Sequence, residues 1–193
     1  MSQLLPFKGF RPKQVHAAKV ASVPYDVINT DEARKMAAGN AFSFLHVGRP
    51  EIDLPADVDI HDDRVYAKGH ENLQNLIHEG LLGQDQKPCL YVYQQRMGDH
   101  VQVGLVGLCS VKEYEQGLIK KHELTRPDKE DDRTRHVTEQ KANAEPVFLA
   151  YRAVPYIDHI VDDVRKRTPD IDIVTDDGIG HTVWVIEEER TIL

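Results

Sequence analysis

The stretch CLYVYQQRMGDHVQVGLVGLCSV, residues 89–111, decides the fold class of this chain. Its two halves, residues 89–95 and 101–111, are rich in the valine and tyrosine residues that favour strands. The connection MGDH, residues 97–100, contains the glycine and aspartate that are typical of a hairpin turn. The sequence therefore predicts an antiparallel hairpin, and the rest of the fold is built outward from it.

Helices and further strands flank this hairpin on both sides. Apolar residues at helical spacing and capping signals predict helices over residues 31–38, 61–79, 127–143 and 156–167. Apolar and aromatic runs predict strands over residues 41–47, 145–153, 171–175 and 181–186. Residues 15–23 fit a short helix or a strand, and the proline-broken residues 51–59 fit a solvated loop.

The order of these elements predicts the fold class. Hairpins and single helices alternate without the regular strand–helix–strand rhythm of parallel sheets. We therefore expect an α+β fold with a mixed, largely antiparallel sheet and several flanking helices. No linker divides the chain, so we expect residues 1–193 to form a single domain.

Gly69 lowers the stability of its predicted helix by about 1 kcal/mol relative to alanine, which indicates close packing at that position.

Composition excludes several classes of partner. The 193 residues are 40% hydrophobic and 29% charged, which is ordinary for a soluble globular protein. A formal net charge of −8 argues against duplex nucleic acid or an anionic membrane as the main partner, because both require a dense basic surface. No window approaches the ~20 apolar residues that span a bilayer, and the N-terminus lacks a signal-peptide core. We therefore expect a cytoplasmic protein.

The two cysteines, Cys89 and Cys109, lie in apolar runs predicted to be neighbouring strands. A disulfide between them is geometrically conceivable. Isolated cysteines in apolar runs are more often reduced core residues, so we expect two free thiols. No C-x-x-C pair and no zinc-finger spacing is present.

The most strongly charged stretch is GLIKKHELTRPDKEDDRTRH, residues 117–136. Thr125 and Pro127 are a suitable start for the helix predicted over residues 127–143. The positions on one side of this helix at three- and four-residue spacing, here called the basic face, are Arg126, Lys129, Arg133, His136 and Gln140. Most of the acidic residues lie elsewhere around the helix, including Asp128, Asp131, Asp132 and Glu139.

Two interpretations of this helix remain open. It carries few large apolar residues, so burial contributes little to its stability. In the first interpretation it is a solvated helix held by ion pairs, each contributing about 0.2–0.5 kcal/mol. In the second, the basic face closes over an anion such as a phosphate, for which arginine has the appropriate geometry.

His122 and Glu123 precede this helix in a predicted loop, where functional residues are often found. Glu123 could act as a general base, and His122 as an acid, a base or a metal ligand. The zincin pattern is not met, because Arg126 stands where the second histidine would be, and a structural role for the pair stays open. The P-loop, the dinucleotide-binding glycine motif and the G-x-S-x-G nucleophile motif are absent.

Four strings resemble a known bacterial family, DUF1015, whose members are domains of unknown function. They are VPYDV at residues 23–27, NAFSFLHVGRPEID at 40–53, KHELTRPDKEDDR at 121–133 and HTVWVI at 181–186. The resemblance spans essentially the whole chain and corresponds to the N-terminal half of the family, whose second half carries an Asp-Gly-His-His-Arg motif. This chain lacks that motif, so we expect it to be the N-terminal part of a longer architecture.

The family is in turn distantly similar to the ParB and sulfiredoxin-like superfamily, which includes free-serine kinases. The resemblance implies phosphoryl transfer on a small metabolite such as serine, phosphoserine or a nucleotide, with ATP or ADP and Mg²⁺ as cofactors. It also implies Glu123 as the base and His122, Arg126 and Arg133 as phosphate contacts. The alternatives are a noncatalytic binding module, associating with a partner or with the family's second half, and a metal hydrolase that uses His122 and Glu123.

Overall fold

The computed structural model describes residues 2–122 and 124–187. The described α-helices are α1 (Gln14–Val20), α2 (Thr30–Ala37), α3 (Leu45–Gly48), α4 (Asp63–His78), α5 (Val111–Glu115), α6 (Pro127–Gln140) and α7 (Pro155–Arg165). The described strands are β1 (Leu4–Leu5), β2 (Phe10–Pro12), β3 (Leu82–Gln84), β4 (Leu90–Met97), β5 (His100–Val106), β6 (Leu108–Cys109), β7 (Ile171–Val174) and β8 (Gly180–Ile186). Short 3-10 turns cover Tyr25–Val27 and Pro50–Asp53.

The predicted hairpin and the α+β class are confirmed. β4 pairs with β5, β4 also pairs with β8, and β8 pairs with β7, all antiparallel, in the order β5-β4-β8-β7. The strands of the hairpin run to Met97 and His100, so its loop is only Gly98 and Asp99. Gly98 has a φ of 59°, the left-handed conformation that such tight hairpin turns require.

The described chain contains two compact units. Unit 1 comprises the described parts of Met1–Ala18, Gly83–His122 and Ala150–Leu193. Its core lies between the four-stranded sheet and α7, where Val164 packs with Val92 and Trp184. Burial alternates along β8, as expected for a strand with one covered face. The prediction of a single domain stays a prediction, because compact units within a chain need not fold independently.

Unit 2 comprises the described parts of Lys19–Leu82 and Glu123–Leu149. One apolar cluster joins α4 to α3 and contains Val47, Leu73 and Leu76. A second cluster joins α2 to α3 and contains Leu45. α6 packs against α4, and its contacts with α4 are largely polar.

The prediction of a strand over residues 41–47 is wrong, because this stretch contains α3. Leu45 and Val47 are both buried, but they belong to different apolar clusters. Residues two apart on a helix point in nearly opposite directions, whereas on a strand they share a face. The alternation in the sequence therefore reflects two packing partners rather than one covered strand face.

Two further local predictions fail. Residues 145–153 form irregular backbone rather than a strand, and Val147 and Phe148 are 80% and 79% exposed. Strand propensity alone does not create a strand without a partner edge, and none is paired to this stretch within the described residues. The loop predicted over residues 51–59 begins in a 3-10 turn whose Glu51 is buried rather than solvated.

The remaining helix predictions are confirmed to within a few residues by α2, α4, α6 and α7. Asn29 caps α2 and forms a reciprocal capping box with Glu32. The N-cap of α6 is Arg126 rather than Thr125, and no side chain caps this helix. Cys89 and Cys109 are free thiols, as expected, but only Cys89 is a core residue: Cys109 is exposed, so the expectation of two buried thiols is wrong for Cys109. Among the described helices, none combines the length and the apolar character needed to cross a membrane.

Candidate functional site

The charged helix α6 buries a polar stripe formed by Asp132, His136 and Gln140, which are 7%, 6% and 3% exposed. Residues four apart lie on one side of a helix, so these three side chains face α4 together. Buried polar groups must form hydrogen bonds to offset the loss of water. The contacts of this stripe therefore explain how a helix with few apolar residues is held in place.

Asp132 is the centre of these contacts. Arg133 donates to its Oδ2 from Nη2 at 2.6 Å and from Nε at 3.0 Å, and the Tyr66 hydroxyl donates to its Oδ1 at 2.9 Å. Nδ1 of His61 lies 3.3 Å from Oδ1, and Nε2 of His136 lies 3.9 Å from it. Burial opposes ionisation, but the hydrogen bonds from Arg133 and Tyr66 outweigh it and lower the pKa of Asp132. We call these five residues the Asp132 network.

His136 is a neutral member of this network. Burial, together with the adjacent Arg133 guanidinium, lowers the pKa of His136 to about 4. Its ring meets the ring of Tyr66 edge-on, with 4.8 Å between the centroids. Burial and the hydrogen bond to Asp132 raise the pKa of Tyr66 to about 12. At neutral pH His136 and Tyr66 are therefore uncharged, and the Asp132 carboxylate faces the Arg133 guanidinium.

Gln140, at the end of the stripe, donates from Nε2 to the carbonyl oxygen of Val47 at 3.1 Å. Gly69 of α4 lies beside the Gln140 side chain at this contact. A β-carbon on Gly69 would lie 3.0 Å from Nε2 of Gln140 and 3.1 Å from Cγ of Pro50. The expectation of close packing at Gly69 is thus confirmed.

Arg133 links the Asp132 network to two other parts of unit 2. Its guanidinium lies 3.8 Å from the centroid of the Tyr25 ring, within range of a cation–π interaction. Its Nη1 donates to the two carboxylate oxygens of Glu145 at 3.3 and 3.4 Å. Burial raises the pKa of Glu145, and the nearby Arg133 only partly offsets that effect. Arg133 therefore has one firmly bound edge, toward Asp132, and one loosely bound edge, toward Glu145.

A second arginine, Arg49, connects the 3-10 turn that contains Tyr25 to α2. Its Nη2 donates to the Thr30 hydroxyl at 2.9 Å, and its Nη1 reaches the carbonyl oxygen of Tyr25 at 3.5 Å. Its buried Nε lies 3.0 Å from Oε1 of Glu51, an ion pair that is not aligned as a hydrogen bond. Thr30 and Glu51 also line a cavity of about 220 Å³ at this end of unit 2.

The structure separates the residues of the predicted basic face. Arg133 and His136 meet in the Asp132 network. Arg126 is exposed and pairs with Asp128, with 2.6 Å between Nη2 and Oδ2, and Lys129 is exposed. The face therefore consists of a buried part that already has partners and an exposed cationic part.

Of the predicted catalytic pair, only one residue is described. His122 is exposed, and Glu123 lies outside the described residues. Within residues 2–122 and 124–187, no three histidine, cysteine, aspartate or glutamate side chains are grouped to hold a metal ion. The roles assigned to His122 and Glu123 stay predictions.

Several residues of the site were not singled out from the sequence, namely Tyr25, Tyr66, Asp132 and Glu145. The expectation that Asp132 lies away from the face that contains His136 is wrong, because residues four apart share a helix face and both are buried. Tyr25 and Glu145 reach Arg133 from distant parts of the chain, and no local pattern reports such contacts.

The comparison with known proteins agrees with the family resemblance that four strings of the sequence suggest. A family model described as "Protein of unknown function (DUF1015)" matches residues 4–193, nearly the whole chain. No curated protein and no solved structure matches the chain significantly. Three of the resembling strings contribute Tyr25, Arg49 and Arg133 to the contacts described above. The chain belongs to the DUF1015 family.

Proposed function

We propose that this protein binds a phosphate-bearing small metabolite and takes part in phosphoryl transfer, with serine, phosphoserine or a nucleotide as the substrate class. The observation that carries the proposal is the loosely bound edge of Arg133. Its contacts to Glu145, at 3.3 and 3.4 Å, are longer than the ~2.7–2.9 Å typical of charge-assisted hydrogen bonds. Asp132 and Tyr25 fix the rest of the guanidinium, so this edge is positioned in advance to receive an oxyanion.

The exposed part of the basic face supports the same proposal. Lys129 stands one helical turn before Arg133, on the same side of α6. The Arg126–Asp128 ion pair is highly exposed, with 74% and 55% of the two side chains accessible to solvent. Such surface pairs are weak and can exchange for another anion. A phosphate at Arg133 would thus have two further cations along the helix.

Phosphoryl transfer requires a base and a phosphoryl donor. The resemblance to the serine-kinase superfamily supports Glu123 as the base and His122 as its neighbour. ATP with Mg²⁺ would supply the phosphoryl group when bound. Mg²⁺ in such sites is held by one or two carboxylates together with phosphate oxygens, and Glu145 is a carboxylate beside the phosphate position that we propose. The raised pKa of Glu145 also makes it a second candidate for accepting a proton.

Calorimetric titration tests the binding step. Phosphoserine, ATP and ADP are titrated into the wild type, into Lys129→Gln and into Lys35→Gln, a matched removal of an exposed lysine from α2. We expect at least one ligand to bind, with roughly tenfold weaker binding to Lys129→Gln and unchanged binding to Lys35→Gln. Equal weakening in both variants would contradict a site on α6.

Turnover tests the catalytic step separately. Transfer of phosphate between ATP and serine is measured in the wild type and in Glu123→Gln, with phosphoserine binding as the control for an intact site. We expect Glu123→Gln to lose turnover and to keep binding. Unchanged turnover would exclude Glu123 as the base, and binding without wild-type turnover would exclude catalysis by this chain.

A noncatalytic interaction module is the second candidate, and a specific observation favours it. Val147 and Phe148 are adjacent, apolar and about four-fifths exposed, which is typical of surfaces that bind another protein. The partner suggested by the family resemblance is the second half with the Asp-Gly-His-His-Arg motif. Association with that half, expressed separately, together with no heat from phosphoserine, ATP or ADP, would favour this candidate.

A further inference from the structure

A cavity in unit 1 lies on the sheet face that α7 covers. Gln94, Thr182 and Asp172 stand side by side across β4, β8 and β7. The cavity has a volume of about 440 Å³, within the range of small-molecule sites. Its lining residues are Gln94, Arg96, Arg165, Arg167, Pro169, Asp172, Thr182 and Trp184. We call it the arginine basin.

The basin exists because α7 is shorter than the strands beneath it. Val164 of α7 packs on Val92 and Trp184, and the helix ends one residue later at Arg165. Side chains two apart on a strand share a face, so Gln94 of β4 continues the row of Val92 past the apolar cluster. The sheet face is therefore apolar under the helix and polar beyond its end.

Two of the arginines that line the basin, Arg165 and Arg96, come from different elements, the end of α7 and β4. Arg165 donates from Nε and Nη2 to Oε1 of Gln94 at 3.2 and 2.9 Å, a neutral partner. Its ion pair with Asp162, 3.6 Å between Nη1 and Oδ1, is long. Arg96 lies across Gly180, and a β-carbon on Gly180 would lie 3.6 Å from its Nε. The Arg96 side chain therefore lies over Gly180 of the neighbouring strand β8.

Charge and shape favour a compact anion over other ligands. Three guanidinium groups and one carboxylate, Asp172, line the basin, and that carboxylate accepts a hydrogen bond from the Thr182 hydroxyl at 3.0 Å. Trp184 is only 6% exposed, so it offers no stacking platform for a nucleic-acid base. The formal charge of −8 over the whole chain also disfavours nucleic acid. Arginines therefore outnumber carboxylates in the lining of the basin, although the chain as a whole is acidic.

We propose that the arginine basin is a second ligand site, which binds the pyrophosphate group of a small molecule. Guanidinium groups bind phosphate oxygens through two parallel hydrogen bonds. Arginines on β4 and at the end of α7 reach the basin from two elements, so two linked phosphates can each meet a guanidinium. The proposal rests on unit 1 alone and is independent of the α6 site in unit 2.

Calorimetry with pyrophosphate and inorganic phosphate tests this proposal. The proteins are the wild type, Arg96→Gln, Arg96→Lys, the α6 variant Lys129→Gln and the control Arg64→Gln, which removes an exposed arginine of α4. Arg96 is exposed, so its replacement should leave the fold intact, and far-UV circular dichroism checks this. We expect saturable pyrophosphate binding, tighter than phosphate binding. We also expect it to be roughly tenfold or more weaker in Arg96→Gln, partly kept in Arg96→Lys and within twofold of the wild type in Arg64→Gln.

Three results would overturn the proposal. The first is the absence of saturable pyrophosphate binding to the wild type. The second is an equal loss in Arg64→Gln, which would reflect net charge rather than a site. The third is a loss in Lys129→Gln without a loss in Arg96→Gln, which would place the ligand on α6. A loss confined to Arg96→Gln would support the arginine basin as a separate site. The proposed function of α6 is tested by its own titration with phosphoserine, ATP and ADP.

Discussion

Asp132 illustrates how one buried carboxylate can hold a mostly polar helix. Two donors of Arg133 contact one of its oxygens, and the Tyr66 hydroxyl contacts the other. Retaining a buried charge costs free energy, and only a full set of partners offsets that cost. Asp132 is therefore expected to contribute to stability, whereas the exposed carboxylates of α6 contribute little.

Replacing Asp132 with asparagine tests this difference. The variant keeps the shape but leaves the half-buried Arg133 without its closest anion, so we expect a loss of about 3 kcal/mol in the free energy of unfolding. Urea denaturation followed by circular dichroism measures the loss. Asp128→Asn, on the exposed side of the same helix, is the control and should unfold like the wild type. Equal effects of the two replacements would contradict a special role for Asp132.

His136 should make the protein sensitive to mild acid. Its pKa is 6.5 when exposed and about 4 in the fold, so its contribution to stability is complete above pH 6.5 and is lost as the pH falls toward 4. The loss amounts to about 3 kcal/mol at most, at about 1.4 kcal/mol per unit. His46 acts in the opposite direction, because its hydrogen bond to Asp53 raises its pKa and stabilises the fold at low pH.

The pH dependence of unfolding in His136→Gln isolates the first contribution. Between pH 7 and 4 we expect the variant to lose less stability than the wild type. His159→Gln removes an exposed histidine from α7 and serves as the matched control. A steeper slope in His136→Gln would mean that the histidine is protonated in the folded protein.

The sequence predicts part of this site and misses the rest for a physical reason. Arg133 and His136 stand out because helical spacing places them on one face. The same spacing includes Arg126 and Lys129, which are exposed, because amphipathic patterns cannot distinguish a cation with a buried partner from one in water. Glu145 becomes visible only when the fold brings it to Arg133.

At the scale of elements, the close packing of α4 against α3 and the 3-10 turn at Pro50 depends on Gly69. Alanine there would raise intrinsic helix stability by about 1 kcal/mol. The added β-carbon would, however, meet the Pro50 ring at 3.1 Å and the Val47 carbonyl oxygen at 3.3 Å. Neither group is the end of a flexible side chain, and overpacking typically costs about 1–3 kcal/mol. The steric effect should therefore outweigh the helix propensity.

We expect Gly69→Ala to lower the free energy of unfolding by about 1 kcal/mol. Urea denaturation measures this change. Gly104→Ala in β5 is the matched control, because a β-carbon at Gly104 has no neighbour within 4 Å. A stabilised Gly69→Ala protein would show that Pro50 and Val47 can move away at little cost, and it would contradict the close packing of α4 at Gly69.

Elements with repeated signals are predictable from this sequence, and those that depend on partners are not. α4 has apolar spacing and a glycine stop, and the β4–β5 hairpin has two apolar runs around Gly98, so both are predicted correctly. α3 and residues 145–153 are mispredicted as strands. In both cases the residues have strand propensity. Whether they form a strand depends on whether the edge of a sheet is available for pairing, or whether apolar clusters bury their side chains in another conformation.

At the scale of the whole molecule, the chain combines a formal charge of −8 with local groups of arginine. Interactions beyond ~10 Å are largely screened at 0.1 M salt, so a ligand at a site responds mainly to the nearest charges. The acidic net charge is thus compatible with the anion sites that we propose at Arg133 in unit 2 and at Arg96 in unit 1. Each unit has its own apolar clusters to support its site.

The most direct test of the central claim is NMR chemical-shift mapping with phosphoserine, ATP and ADP added to the isotope-labelled protein. If α6 binds the phosphate, one of these ligands will shift the amide signals of residues 126–133, together with those near Tyr25 and Glu145, in a saturable manner. Lys129→Gln should weaken these shifts, and Lys35→Gln should not. Absence of saturable shifts in α6 with all three ligands would contradict the account.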